Sequence, residues 1–438
     1  MVYLPHWPIP YSLGNRKIDY ETVFERMSIV LKKLDNPHQK LPPVIHIAGT
    51  NGKGSTSSLI AKIYLCCGYK AHLYTSPHLH DANERIILNG EKISDNFLFE
   101  IMEETRLASE NIPLTFMEAF TIGSLIAFSK TPADVLVVEC GMGGRIDSTN
   151  IIEDKLATVI TPISFDHTEF LGDYIERIAM EKALIMRQNT PMIVASQALE
   201  AKNIIKILAD DQKIPCYFYD EDFSILLDQE TKKFDFNFHD IYFENLPKPA
   251  LLGMHQYINF ATAITTALSI NHKISVTEKA IRKAIETVKW PSRIEKIENG
   301  LCKIFHNPES EIWIDGAHNE GGANCLATWI KEQSNKKNFV ICGFSKNKCK
   351  KEFLEKFNNF SQIIAVRVNG EPYAEDPAII SEIGKKNNIN VIAQEDLLEA
   401  LKYIAKKNYK EAVRVIICGS LHLARDVRKF GLMVYTKT

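Results

Sequence analysis

Apolar and polar positions divide this chain into short, nearly all-apolar runs separated by stretches of helical periodicity. Beyond a proline-rich start, apolar residues recur at helical spacing from Tyr20 to Leu34 (Val23, Met27, Val30, Leu31, Leu34), and Asp35-Asn36-Pro37 stops that helix. The apolar run Val44–Ala48 predicts a strand, with a helix through Ser57–Cys67 and a strand around Ala71–Thr75 after it. Helices near Asn96–Ser109 and Glu118–Ser129 precede an apolar strand at Asp134–Glu139. Leu156–Thr161 and Met192–Ala195 read as further strands, with a helix over Tyr174–Met186 between them. Strands that alternate with helices and are apolar on both faces imply a parallel sheet covered on both sides.

The stretch from Phe223 to Phe243 differs, because SILLDQETKKFDFNF alternates strictly around a polar turn and so predicts a hairpin. Helical periodicity returns at His255–Ile270. Trp290–Arg293 is the best candidate junction, since proline stops the preceding helix. Beyond it, Glu311–Asp315, Phe339–Gly343, Gln362–Val368, Asn390–Ala393 and Val413–Cys418 predict strands with helical patterns between them. The expected fold is α/β: a P-loop-type doubly wound ATPase domain over residues 1–293, then a smaller Rossmann-like α/β domain over 294–438.

Composition narrows the function. A chain of 438 residues is long enough for two or three cores. The net charge of -2 provides no general pull toward nucleic acid or an anionic membrane, so any phosphate site must be local. Nine scattered cysteines without a CxxC argue against a disulfide framework and fit a reducing, cytoplasmic location. MVYLPHWPIPYSLGNRK lacks the basic start and apolar core of a signal peptide, and no apolar run approaches the roughly 20 residues that span a bilayer. No nucleic-acid or membrane partner is expected, and the chain is expected to act as a monomer.

The chemistry concentrates after the strands. In VIHIAGTNGKGST the residues Gly49, Thr50, Asn51, Gly52, Lys53, Gly54, Ser55 and Thr56 form a glycine-bracketed turn that leads from strand to helix. Such a turn aims backbone N–H groups and a helix start at an anion, Lys53 adds a mobile positive charge, and Ser55 or Thr56 offers a hydroxyl to Mg²⁺. The pattern departs from G-x-x-x-x-G-K-[ST]: Ile47 stands where the first glycine belongs, and Gly54 separates the lysine from Ser55. An ordinary tight turn is the bland alternative. In VVECGMGGRIDSTN, Glu139 closes a strand where open α/β sheets place ligands, and a carboxylate there can hold Mg²⁺ or simply cap a turn. His167, in DHTEFLGD, can ligate a metal, orient a phosphate or cap a helix. Lys182, on the next helix, reads by itself as solvated surface. His255, Gln256 and Asn259 share helical spacing, and with Arg293, Asp315 and His318 they can reach a nucleotide from the junction and the second domain. His78 and His80 lack a third metal ligand, and the neighbours Cys66 and Cys67 read as core.

AGTNGKGST, YTSPHL with ERI, VECGMGGRIDSTN, DHTEFLGD, EKA, HQxxN, WPSRIE, DGAHN and CGSLHL occur in the order of one family. From about Tyr3 to its end, the chain resembles the folylpolyglutamate synthase/dihydrofolate synthase family, a branch of the Mur ligases. The resemblance implies an ATP-dependent ligase that joins L-glutamate to dihydropteroate, to folate or to both. It implies one or two Mg²⁺ ions on Ser55, Glu139 and His167, a catalytic role for Lys53, His167 and Lys182, and a Lys182 carbamylated by CO₂. It also implies ATP contacts from Asn259, Arg293, Asp315 and His318, and a substrate segment containing Ser76, Pro77, His78 and Arg85. Two positions depart from the family pattern. The G-x-x-x-D-K-D stretch is GFSKNKC at Gly343–Cys349, with its first Asp lost, and Asn83 replaces the usual aromatic before Glu84-Arg85. A Mur-type ligase acting on a UDP-muramyl peptide is the nearest alternative, but only about 48 residues precede Gly49, too few for a UDP-binding domain. A nucleotide-driven switch is the alternative from another class, and it would not need Lys182, Arg293 and Asp315 together.

Overall fold

A computed structural model describes residues 20–427 except 299, 334, 335, 347, 349, 372, 408 and 409. The proline-rich start, Tyr3 among it, and two residues of the GFSKNKC stretch therefore lie outside the described residues. The chain forms two compact units. The first takes in the described residues up to Ile163, Leu171–Ala250 and Gln256–Lys289; the second takes in Ser164–Phe170, Leu251–His255 and the chain from Trp290 onward.

The first unit is built on an eight-stranded sheet. In chain order its strands are β1 (Val44–Ala48), β2 (Ala71–Tyr74), β3 (Ile86–Leu88), β4 (Glu91–Lys92), β5 (Val135–Glu139), β6 (Ala157–Ile160), β7 (Met192–Val194) and β8 (Cys216–Phe218). Their spatial order is β4-β3-β2-β5-β1-β6-β7-β8. β1 lies in the interior, parallel to β5 on one side and β6 on the other, so three strand ends deliver Gly49, Cys140 and Thr161 to one edge. The apolar runs are buried on both faces, as the pattern required. One face packs around Met27, Leu31, Phe120, Phe128 and Leu136, the other around Ala48, Ile160, Ile178, Met192 and Ile205.

The sheet is not wholly parallel, which corrects the expectation. β3 runs antiparallel to β2, and β4 antiparallel to β3. These two strands are too short, and β4 too polar, to show an apolar run. The helix after β1 begins at Lys53 and not at Ser57, because its first turn is polar in sequence yet buried. The expected hairpin is a three-stranded meander of β9 (Phe223–Leu227), β10 (Phe234–Phe238) and β11 (Ile241–Leu246), every pair antiparallel.

The second unit holds β12 (Glu295–Lys296), β13 (Glu311–Ile314), β14 (Lys337–Cys342), β15 (Gln362–Ala365), β16 (Val391–Ala393) and β17 (Val413–Cys418). They are ordered β12-β13-β17-β14-β15-β16 and parallel except for the β12 edge. Phe344, Phe353, Phe357, Trp329 and Ile380 fill one core of this unit. Among the described residues no helix is long and apolar enough to cross a membrane.

Candidate active site

The turn after β1 is held open by glycine. Gly49 has φ +144° and Gly52 φ +85°. A Cβ on Gly49 would lie 1.9 Å from Thr161 Oγ1, and one on Gly52 would lie 2.5 Å from Asn259 Oδ1. Asn259 therefore sits directly against the turn. Thr50 N and Asn51 N both donate to Pro162 O, at 3.0 and 3.1 Å, so these two amides brace the turn against the segment after β6. The helix Lys53–Cys67 starts directly after Gly52, and a helix start can face an anion.

Two ammonium groups converge on the same carbonyl. Lys53 Nζ donates to Gly49 O and Thr50 O, both at 3.2 Å, and Lys182 Nζ donates to Gly49 O at 2.8 Å. Lys182 is only 4% exposed, which overturns its reading as solvated surface. The reason is local packing: a Cβ on Gly144 would come within 2.8 Å of the Glu181 and Lys182 carbonyls, so that glycine admits the helix Ile175–Ala183 at close range. Arg145 then fastens it, with N donating to Glu181 O at 2.7 Å and Nε to the Glu181 carboxylate at 3.0 Å.

Ser55 Oγ is buried and has no hydrogen-bond partner. Glu139, the last residue of β5, is buried opposite Ile47 of β1. Cys140 follows, with its sulfur 3.1 Å from His46 Nε2, and burial pushes its thiol well up. The glycine loop then wraps around Asp147, whose Oδ2 accepts from Gly141 N and Met142 N at 2.9 Å each. Among the described residues no group of three or more His, Cys, Asp or Glu side chains is arranged to hold a metal by itself.

The segment with Ser76, Pro77 and His78 lies beside this loop; the Ser76–Pro77 bond is cis, and a Cβ on Gly141 would meet Ser76 Oγ at 3.6 Å. Arg85 is 5% exposed, donates from Nε to His78 Nδ1 at 2.9 Å, and lies 5.6 and 5.3 Å from the Phe116 and Phe120 ring centres. His78 is therefore a partner of Arg85 and not half of a metal pair. Cys66 and Cys67 are half-exposed, contrary to their reading as core.

In the second unit, Asp315 follows β13 and accepts from Ile294 N at 2.8 Å and Ala317 N at 2.7 Å. Burial raises its pKa, opposed by Arg293 and those two amides. Arg293 Nη1 donates to Ser292 O at 2.9 Å, and a Cβ on Gly316 would come within 2.4 Å of that nitrogen. His318 Nε2 bonds Asp166 Oδ2 at 3.0 Å, and Lys348 also donates to Asp166. Burial pushes the Asp166 carboxyl up, but His318, His167 and Lys348 outweigh it and hold that carboxyl well below the usual range. His167, beside it, has a left-handed backbone at φ +51°.

Asp166 and Lys348 were not among the expected site residues, whereas Gln256 was expected beside Asn259. Gln256 is fully buried and accepts from Asn259 Nδ2 at 3.0 Å, a contact its i, i+3 spacing could have signalled. Asp166 and Lys348 lie far apart in sequence, and no spacing relates them.

The Mur ligase middle domain family matches residues 47–267, and the dihydrofolate synthetase C-terminal domain family matches residues 301–430. The dihydrofolate synthase/folylpolyglutamate synthase of Bacillus subtilis is 30% identical over 433 residues, spanning 95% of this chain and 96% of that protein. This chain belongs to the dihydrofolate synthase/folylpolyglutamate synthase family. The folylpolyglutamate synthase of Lacticaseibacillus casei is 31% identical over 417 residues, covering 92% of this chain and 93% of its own. Among solved structures, Escherichia coli FolC in complex with DHPP and ADP is 26% identical with a TM-score of 0.82, covering 97% of this chain and 96% of that one. Within the family, the departure at Asn83 has a structural account: its buried Nδ2 donates to Ile93 O at 2.9 Å and Asp95 Oδ1 at 3.0 Å. The residue pins the segment to Ile93 and Asp95, just past β4, through two bonds that a phenyl ring could not make.

Proposed function

We propose that this protein is an ATP-dependent ligase that joins L-glutamate to dihydropteroate, to folate or to both. The reaction would proceed through an acyl phosphate: the acceptor's carboxylate takes the γ-phosphoryl group, and the glutamate amine then displaces phosphate. The observation that carries the reading is the convergence of Lys53 and Lys182 on the Gly49 carbonyl, beside the unpartnered Ser55 hydroxyl. Lys53 offsets negative charge as it develops on the phosphoryl oxygens. Gly52, Gly54, Ser55 and Thr56 supply the helix start, and Asn259 shapes the turn. Arg293, Asp315 and His318 are assigned to the nucleotide, and Ser76, Pro77, His78 and Arg85 to the acceptor. A guanidinium that is buried against two aromatic rings suits an acceptor with an anionic or flat aromatic group.

The oxygen donors Ser55 and Glu139 fit Mg²⁺, a hard cation that takes oxygen ligands and relies on substrate phosphates to complete its shell. Ser55, Glu139 and His167 would hold it, and it would neutralise phosphate charge. Carbamylation of Lys182 would exchange a cation for an anion beside that metal. Residues 1–293 are assigned as the ATP-binding domain and 294–438 as the second ligase domain, in a monomeric, cytoplasmic enzyme.

The test is ADP release by the purified protein, with glutamate present and with dihydropteroate or a reduced folate added in turn. Release that requires both glutamate and an acceptor supports the ligase. ADP formed at the same rate without either would instead establish a nucleotide switch.

A further inference from the structure

Asp166 is a heavily engaged carboxylate of the second unit. Its side chain is 9% exposed. Oδ1 accepts from Lys348 and, at 3.0 Å, from His167 N; Oδ2 faces His318 Nε2 at 3.0 Å and Asn319 Nδ2 at 3.5 Å. These partners come from two different strand ends, His318 and Asn319 after β13 and Lys348 after β14. On its other side, His318 Nδ1 lies 2.8 Å from Gly316 O. Both ring nitrogens of His318 are therefore turned toward acceptor oxygens.

The backbone around Lys348 is fixed independently. Lys350 Nζ donates to Lys346 O at 2.6 Å and Lys348 O at 3.2 Å, and pairs with the buried Glu375 at 2.9 Å. A buried ion network contributes little net stability compared with an apolar replacement, so stability alone does not account for three basic side chains gathered on one acid. Basic groups in excess over a single carboxylate leave a local positive field suited to a polyphosphate.

We propose that Asp166 is a positioning residue for nucleotide binding: it fixes the His318 ring in place and orients Lys348 as a phosphate-directed donor. Lys348 thereby becomes a further binding residue. This rests on the nucleotide assignment made for His318 above.

The test is calorimetric titration of the full-length protein with MgATP, without glutamate or acceptor, on the parent, Asp166→Asn, Lys348→Met and the double variant. Asp166→Asn keeps the size but loses the charge-assisted bonds, and should weaken MgATP binding by about tenfold. Lys348→Met should do the same, and the double variant should be no weaker than either single one, since the two changes remove one coupled unit. In steady state the ATP KM should rise by a similar factor while the glutamate KM changes by less than about twofold. Affinity in Lys348→Met within about twofold of the parent would overturn the proposal, even if Asp166→Asn failed to fold. Additive losses in the double variant would overturn the positioning role. If the parent itself failed to bind MgATP, the nucleotide reading would fail before this one.

Discussion

Gly49→Ala is the most informative single substitution, because the structure separates its two costs. The first is conformational: φ +144° belongs to a region essentially reserved for glycine, and a side chain there costs about 1–3 kcal/mol. The second is steric. The new Cβ would lie 1.9 Å from Thr161 Oγ1 and 2.9 Å from both Thr161 Cβ and Thr161 O, well inside the 3.4 Å at which ordinary contact begins. Overpacking of that kind adds about 1–3 kcal/mol, and two of the three atoms cannot rotate away. Gly68→Ala is the internal control: Gly68 also has positive φ, at +93°, but a Cβ there meets nothing within 4 Å. Urea unfolding should therefore show Gly49→Ala losing roughly twice the stability that Gly68→Ala loses. Function should separate further, because the Gly49 carbonyl receives both Lys53 and Lys182. A displacement on the order of 1 Å costs about 10²-fold in rate, so ADP release should fall by that factor in Gly49→Ala and stay near the parent in Gly68→Ala. Trimming Thr161 to Ala in the Gly49→Ala background should return part of the stability. Equal stability and equal turnover in the two glycine variants would refute the reasoning.

Lys53→Ala should lower kcat on the order of 10²-fold or more, since its charge acts on the transferred phosphoryl group; an unchanged turnover would end that assignment. Lys182→Ala should be nearly inactive, with partial recovery on adding acetate if a carbamate carboxylate is what is missing, and full activity of the variant would exclude the carbamate. Glu118→Ala should destabilise the first unit by about 3 kcal/mol, because it removes the carboxylate that accepts from Arg26 Nε and Nη2 at 3.2 and 2.7 Å; a thermal midpoint within a degree or so of the parent would contradict this.

Much of the fold was legible because the buried parallel strands are short apolar runs with nothing to confuse them: β1 and β17 begin and end where the pattern placed them. Legibility failed where packing, not hydropathy, decides structure. The first turn of the helix Lys53–Cys67 reads KGST, which has no apolar face, yet Ser55, Thr56 and Ser57 are buried. β4 is Glu91-Lys92, a strand only because β3 lies beside it. The site divides in the same way. Motifs contiguous in sequence announced Gly49, Lys53 and Glu139, whereas the burial of Lys182 depends on Gly144 at another position, and the Asp166–Lys348 pair spans 182 residues. Contacts of that range leave no periodic trace.

The thiol of Cys140 turns the phosphate-loop region into its own reporter. It sits one residue beyond Glu139, is 1% exposed, and is pushed toward the neutral form by burial. Alkylating reagents need a thiolate in contact with solvent, so this sulfur reacts only when β1 and β5 part from the glycine loop. Cys66, Cys67, Cys216, Cys302 and Cys325 are partly exposed and can be blocked, and Cys342, Cys349 and Cys418 can be replaced. What remains is a clock for local opening: the labelling rate of Cys140, compared with that of an unprotected thiol, gives the free energy of opening at this edge of the sheet. Slower labelling with nucleotide present would measure how much the ligand tightens the loop, with no turnover required.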